Sequence, residues 1–200
     1  MTYAELRPAE LDLASPPERP HSASEAAPDT QLPSLEGITS LAFRDALAKA
    51  VTPVTVVATD GPHGAAGVTC SAVSSVSDTP PTVLVCINRR SAANAVIKAN
   101  GVLCVNWLSA GQIEVSQLFS GAGGVPMPER FAQHEWNTLA TGAPSSRDAL
   151  LSLDCRVVEA LEVGTHSIFL ARVLATTHTD PGAPLVYCQR AYATTRPARP

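Results

Sequence analysis

Seven short runs dense in Val, Thr, Ile and Leu, most of them bounded by Gly, Pro or Asn, constrain this chain more than any other feature. They are VTVVAT (54–59), AGVTCSAVSSVS (66–77), TVLVCIN (82–88), VLCVNWL (102–108), LLSLDCRVVEALE (150–162), THSIFLARVLATTHT (165–179) and LVYCQRAYAT (185–194). Branched side chains suit a pleated, half-buried surface, and the bounding residues break it into strand-length pieces. So many antiparallel-looking strands with few helices predict a closed or nearly closed barrel, because closure removes the edges an open sheet would expose.

Three helices fit between the strands. SLAFRDALAKAV (40–51) places Phe43, Ala46, Leu47, Ala50 and Val51 at helical spacing, with Ser40 as N-cap and Pro53 as terminator. SAANAVIKAN (91–100) is a short amphipathic helix with Ser91 as N-cap and Gly101 just past its end, and SAGQIEVSQLFS (109–120) follows Trp107. The glycines and prolines of GAGGVPMPERF (121–131) predict an ordered surface loop. Residues 1–34 are rich in Pro, Ala, Ser and Glu and hold few large apolar side chains, so they read as a disordered N-terminal tail preceding one folded domain over 35–200.

Composition removes several classes of function. A net charge of -4 gives no basic surface for a nucleic acid, and no Lys/Arg run addresses an acidic membrane. The apolar runs are too short to span a bilayer. Five cysteines, at 70, 86, 104, 155 and 188, are odd in number and lack metal-ligand spacing, so they predict neither a disulfide framework nor a zinc site. They fit a reducing compartment, and the expected location is cytoplasmic.

Nucleotide-binding loops of the common kinds are missing. There is no GxxxxGK[ST], and GAGG at 121–124 follows a helix instead of joining a strand to one. Two other stretches offer binding chemistry. Read as one strand, GVTCSAVSSVS puts Thr69, Ser71, Ser75 and Ser77 on one face, a hydroxyl stripe suited either to a flat heteroaromatic ligand with a polyol chain or to plain solvation. In NRRSAANAV (88–96), Arg89 and Arg90 precede a helix start at Ser91, where backbone N–H groups, the helix dipole and guanidinium charge converge on one anion. His166 sits in GTHSIFLARV where a structural strand would carry Thr or Val.

In their order along the chain, FRDALAKAVTPVTVVAT, GVTCSAVSSVSDTPPTVLVCINRRS, VLCVNWLSAGQ, FSGAGGVPMPERF and GTHSIFLARV resemble the short-chain flavin reductases, the NAD(P)H:flavin oxidoreductase components of two-component monooxygenases. The resemblance implies a mainly β, Greek-key split barrel of the FMN-binding type with a few short helices, working as a homodimer. It implies FMN or FAD, and NADH or NADPH, with reduced flavin released to a partner monooxygenase; the alternative is a non-catalytic flavin-binding or flavin-storage barrel. Carried over by motif, Gly67, Val68, Thr69, Cys70, Ser71, Ser74 and Ser75 would line the flavin ring and ribityl chain. Cys86, Ile87, Asn88, Ser91 and Asn94 would frame the ring edge and phosphate, with Arg90 beside them, and His166 would lie beside the nicotinamide as the catalytic position. Two departures from the family pattern stand out. Thr165 replaces an acid before the histidine, and Arg172 stands where an acid is frequent, which would favour a phosphorylated dinucleotide.

Overall fold

The computed structural model describes residues 36–179 and 182–196, so the tail expected over 1–34 lies outside the described residues. The first half of the chain runs α1 (Ser40–Leu47), β1 (Thr52–Pro53), β2 (Thr55–Thr59), β3 (Ala66–Cys70), β4 (Val73–Asp78), β5 (Pro81–Asn88), α2 (Ala92–Asn100) and β6 (Val102–Trp107). It continues with α3 (Ile113–Ser120), α4 (Met127–Ala132), β7 (Trp136–Thr138), β8 (Pro144–Ser146), β9 (Leu151–Val163), β10 (His166–His178), β11 (Leu185–Cys188) and β12 (Ala191–Thr194).

Seven strands form one antiparallel sheet in the order β3-β2-β6-β9-β10-β5-β4. Its two end strands, β3 and β4, are consecutive in the chain and separated only by Ser71 and Ala72. Cys70 and Val73 are three residue steps apart, a span of at most about 11 Å, so the sheet must curl until its ends meet. No ladder joins β3 to β4, and the result is a barrel split along one seam. The run 66–77 read as one strand is therefore two strands broken at that seam. Ala72 O still accepts the Cys86 N–H at 2.9 Å, which ties the break to β5.

Inside the barrel, Val57, Val85, Leu103, Val105, Cys155, Phe169 and Ala171 are fully buried, and α2 adds Ala93 and Ile97. β2 is buried on both faces because Val54 and Val56, pointing outward, are covered by Leu108, Val115, Phe119 and Leu185. A three-stranded sheet, β1-β11-β12, lies beside that second cluster. Asn106, buried outside the barrel, donates to Val56 O and Pro144 O and accepts from Ser152 Oγ and the Ser146 N–H, which leaves its amide fully used.

Three sequence expectations change. The first helix is capped by Thr39, whose Oγ1 accepts the Ala42 N–H at 3.2 Å, and it stops at Leu47, well short of Pro53. Its apolar residues are not a core face: Leu41, Phe43 and Leu47 are all more than half exposed. Residues 127–132, expected as loop, form α4, because Pro128 falls in the first turn, where the missing N–H costs nothing. Phe131 and Trp136 then close with Phe119 into an aromatic cluster with ring centroids 5.1 to 5.5 Å apart.

Gly67 lies beneath that cluster. A Cβ built there would stand 2.7 and 2.8 Å from two Phe119 ring carbons. Replacement Gly67→Ala should therefore lower stability by about 1–3 kcal/mol through overpacking, seen as a lower urea midpoint at unchanged slope.

Candidate functional site

The seam creates the site. A cavity of about 230 Å³ opens there, lined by Val68–Ala72 on one side and by Cys86, Ile87, Asn88, Ser91 and His166 on the other. Alternation explains the company His166 keeps. Ser167, Phe169 and Ala171 point into the barrel, so His166, Ile168 and Leu170 point out, as do Leu84 and Cys86 on the neighbouring β5. His166 pairs with Asn88 across the β10–β5 ladder. The cavity is thus on the outer face of the barrel.

Of the residues expected to bind cofactor, Val68, Thr69, Cys70, Ser71, Cys86, Ile87, Asn88 and Ser91 line this cavity together with His166. The others are elsewhere. Gly67 faces Phe119. Ser74 and Ser75 lie beyond the seam on β4, exposed and paired with Leu84 and Val83. The Arg90 side chain enters a neighbouring cleft. Asn94 is buried beneath the site, where its Nδ2 donates to Ile87 O and Ser167 Oγ, both at 3.0 Å. Arg172 pairs in register with Thr82, six residues along β10 from His166, which is roughly 20 Å at strand rise. It stands apart from the histidine.

Within the cavity the hydroxyls have different duties. Thr69 Oγ1 donates to Ser116 O at 2.6 Å and so anchors β3 to α3. Ser91 precedes α2 but makes no side-chain cap bond, and no acid occupies the first turn of that helix. The Asn94 N–H is taken by Ser91 O at 3.0 Å, while the N–H groups of Ala92 and Ala93 and the Ser91 hydroxyl have no partner in a side-chain cap and suit an anion. Asn88 Oδ1 accepts the Arg90 N–H at 2.9 Å and shapes the turn into the helix. His166 Nδ1 is 2.8 Å from Thr165 Oγ1, a neutral partner where an acid is usual in the resemblance drawn above.

Two thiols face the cavity, and both are protonated. Burial pushes the Cys70 thiol up to about 11, and burial also raises that of Cys86. The Cys70 Sγ–H donates to Cys86 O at 3.4 Å. Neither supplies a thiolate nucleophile at neutral pH. The wall of the site is uncharged, while positive groups collect near the α2 end.

Sequence reasoning missed Ala72 and a support beneath the site. Glu162, on the strand paired with β10, accepts Ser167 Oγ–H and pairs with Lys98 of α2 and with Arg89, whose Nε is 3.0 Å away. Its carboxylate ties β9, β10, α2 and the β5–α2 turn together at one point. The signal was present in Ser167 next to His166, but the matching acid comes from a different strand.

The hydrogen bond from Lys98 is the main reason the Glu162 carboxyl sits below its ordinary value of 4.5, with Ser167 and Arg89 adding to it. A depressed folded-state pKa means the contribution is complete above pH 4.5 and is lost as pH falls through the folded value. Glu162→Gln should accordingly reduce stability at pH 7 and flatten the loss seen on going to about pH 3, read from urea midpoints at the two pH values.

The likeness to known proteins follows the same elements. Residues 47–196 match the flavin reductase like domain. The chain is 47% identical over 150 residues to an FMN reductase (NADH) RutF of Ancylobacter novellus, covering 75% of this chain and 82% of that one. Among solved structures it superposes on a putative flavin reductase of Haemophilus somnus with TM-score 0.76 and 39% identity, covering 79% of this chain and all of the other. The styrene monooxygenase flavin reductase of Pseudomonas putida gives TM-score 0.68 at 25% identity, over 78% of this chain and 99% of that one. With a split barrel, a seam cavity edged by a helix start, and a match running from the end of α1 through β12, the chain belongs to the flavin reductase like family and is an oxidoreductase of that family.

Proposed function

We propose that this flavin reductase passes a hydride from NADH to FMN in the seam cavity and releases the reduced flavin to a separate monooxygenase. The observation that carries the reading is the convergence of the seam backbone, the uncapped start of α2 and His166 on one open cavity. When bound, flavin and nicotinamide would supply the chemistry, a hydride transfer that needs no protein nucleophile. The chain supplies a slot walled by β3 and β5 and hydrogen-bond donors at its rim. It adds an anion seat at Ser91 and the first turn of α2, and an imidazole at the edge. The residues fit FMN in their chemistry: polar groups line the polyol path, a phosphate seat closes it, and among the described residues no carboxylate lines the cavity.

His166 holds the nicotinamide against the flavin, with Thr165 fixing the ring through Nδ1. A neutral hydroxyl partner suits a positioning duty better than that of an obligatory acid. The RutF relative is named for FMN and NADH, and the styrene monooxygenase relative for service to an oxygenase. An open site suits a flavin that must leave.

We read the working unit as a homodimer. One chain encloses about 230 Å³ at the seam, less than the roughly 300–1,000 Å³ of sites that enclose small ligands. Next to it, Leu84, Ile168 and Leu170 point outward from the sheet and are only half-buried. A second copy laid on this stripe would cover it and add the missing wall. The five cysteines are all free thiols, in keeping with work in the cytoplasm.

Mixing the protein with NADH and FMN and following the NADH absorbance tests the reaction directly. A yellow protein that keeps its flavin through gel filtration and oxidises no NADH would mark the storage alternative. His166→Ala should raise the KM for NADH about tenfold, equivalent to ~1.4 kcal/mol, and leave the KM for FMN within about twofold. Leu170→Asp should halve the mass measured by light scattering and weaken flavin binding; an unchanged mass would refute the stripe as the dimer contact.

A further inference from the structure

The seam leaves β3 with a ladder on one side only, to β2, while residues at its other edge line the cavity. An edge strand has no second ladder to fix how far it stands from the strand across the gap. The spacing of the β3 and β5 walls, on which the fit of any ligand between them depends, is therefore left to side chains.

One such tie runs outward from the wall. Thr69, which lines the cavity, gives its hydroxyl hydrogen to Ser116 O of α3 at 2.6 Å. Ser116 is fully buried, and its Oγ lies 3.0 Å from Tyr192 Oη of β12. The Ser116 N–H donates to Gln112 O at 3.1 Å, so this one residue is held through both backbone and side chain. Tyr192 is half-buried on a strand whose other residues, Ala191, Ala193 and Thr194, are exposed. Its ring packs on the cluster of Val115 and Phe119 and meets Tyr187, its ladder partner on β11, with centroids 5.4 Å apart at 72°. A phenylalanine would fill the same space. Only the hydroxyl reaches the serine, and neither Tyr192 nor Ser116 lines the cavity.

We propose that the Tyr192 hydroxyl positions the β3 wall of the seam cavity: through Ser116 it fixes the point on α3 to which Thr69 is bonded. Among the described residues, Tyr192 Oη is the one side-chain partner of the Ser116 hydroxyl. Removing the phenol oxygen leaves that buried hydroxyl unpaired, a state costly enough to make its surroundings rearrange. The carbonyl that holds Thr69 belongs to the same residue, so the rearrangement reaches the wall in one step. The wall role stands on this geometry; its expression as flavin affinity rests on the reductase reading.

The test compares wild type with Tyr192→Phe, Ser116→Ala and the double variant of the full chain. Tyr192→Phe keeps the ring and Ser116→Ala favours the helix, so neither change removes packing. Each should weaken FMN about fivefold in a fluorescence titration without NADH, the scale of one buried hydrogen bond. The double variant should be no weaker than either single one, because both remove the same bond. Amide hydrogen exchange should quicken about fivefold in residues 66–72 and stay unchanged in 82–88. In the steady state the KM for FMN should rise while that for NADH stays within about twofold. Unchanged exchange in 66–72, exchange that quickens equally in both segments, additive losses in the double variant, or KM values for FMN and NADH that rise together would overturn the proposal. Wild type that binds no FMN would defeat the reductase reading instead, and exchange in 66–72 would still decide whether Tyr192 holds the wall.

Discussion

The two-residue link at Ser71–Ala72 is the constraint on which the rest depends. It joins the two ends of a seven-stranded sheet, so the curl of the barrel follows from chain length alone. Had β3 and β4 run as one continuous strand, the barrel would have no gap and no seam cavity. The cost of an unzipped seam is a set of backbone groups without strand partners. Part of that cost is met by the bond from Cys86 to Ala72, and the remainder of the wall is where a ligand can bond.

Placing the site outside the barrel follows from the pleat. The interior is filled by Phe169, Val85, Leu103 and their neighbours and has no room for a cofactor. Cys86, Asn88 and His166 therefore meet the cavity from the outward set, which also contains the apolar stripe, while Ile87 borders it from the buried side. Site and stripe are neighbours because one alternation produces both. The thiols obey the same logic. Burial raises the pKa of both Cys70 and Cys86, so neither thiol at the seam cavity is a thiolate nucleophile at neutral pH.

Much of this was legible in the sequence. The strands at 55–59, 82–88 and 102–107, and the helix from Ala92 with Gly101 in left-handed geometry, follow from composition and end signals alone. The seam was not legible, because neither Ser71 nor Ala72 is a residue that breaks strands. The exposure of α1 was hidden too. Its spacing is amphipathic, and only the tertiary ties through Arg190 and Gln189 show that its apolar side has no core beneath it. Among the site residues, those within one motif were readable together, whereas the Glu162 support joins two strands and a helix far apart in the chain. Gly67 and Asn94 were read as ligand contacts, and the structure shows a packing constraint at the first and hydrogen bonds to Ile87 and Ser167 at the second. Arg172 drew notice by its type, yet the arginines that gather beside His166 are those at 44, 89 and 90.

How α1 is held bears on how the cleft beside it opens. An exposed ion pair contributes at most about 1 kcal/mol, and a single backbone hydrogen bond adds a similar amount. A helix secured by little more than these, with no buried residue, belongs to the low-stability end of the molecule. The barrel below it, by contrast, is fixed by a continuous apolar core and by the Glu162 junction. Rigid walls on one side and a loosely tethered helix on the other make a cleft that can widen without disturbing the seam. That division of stiffness lets the cleft open at α1 while β3, β5 and the start of α2 keep the geometry of the seam cavity.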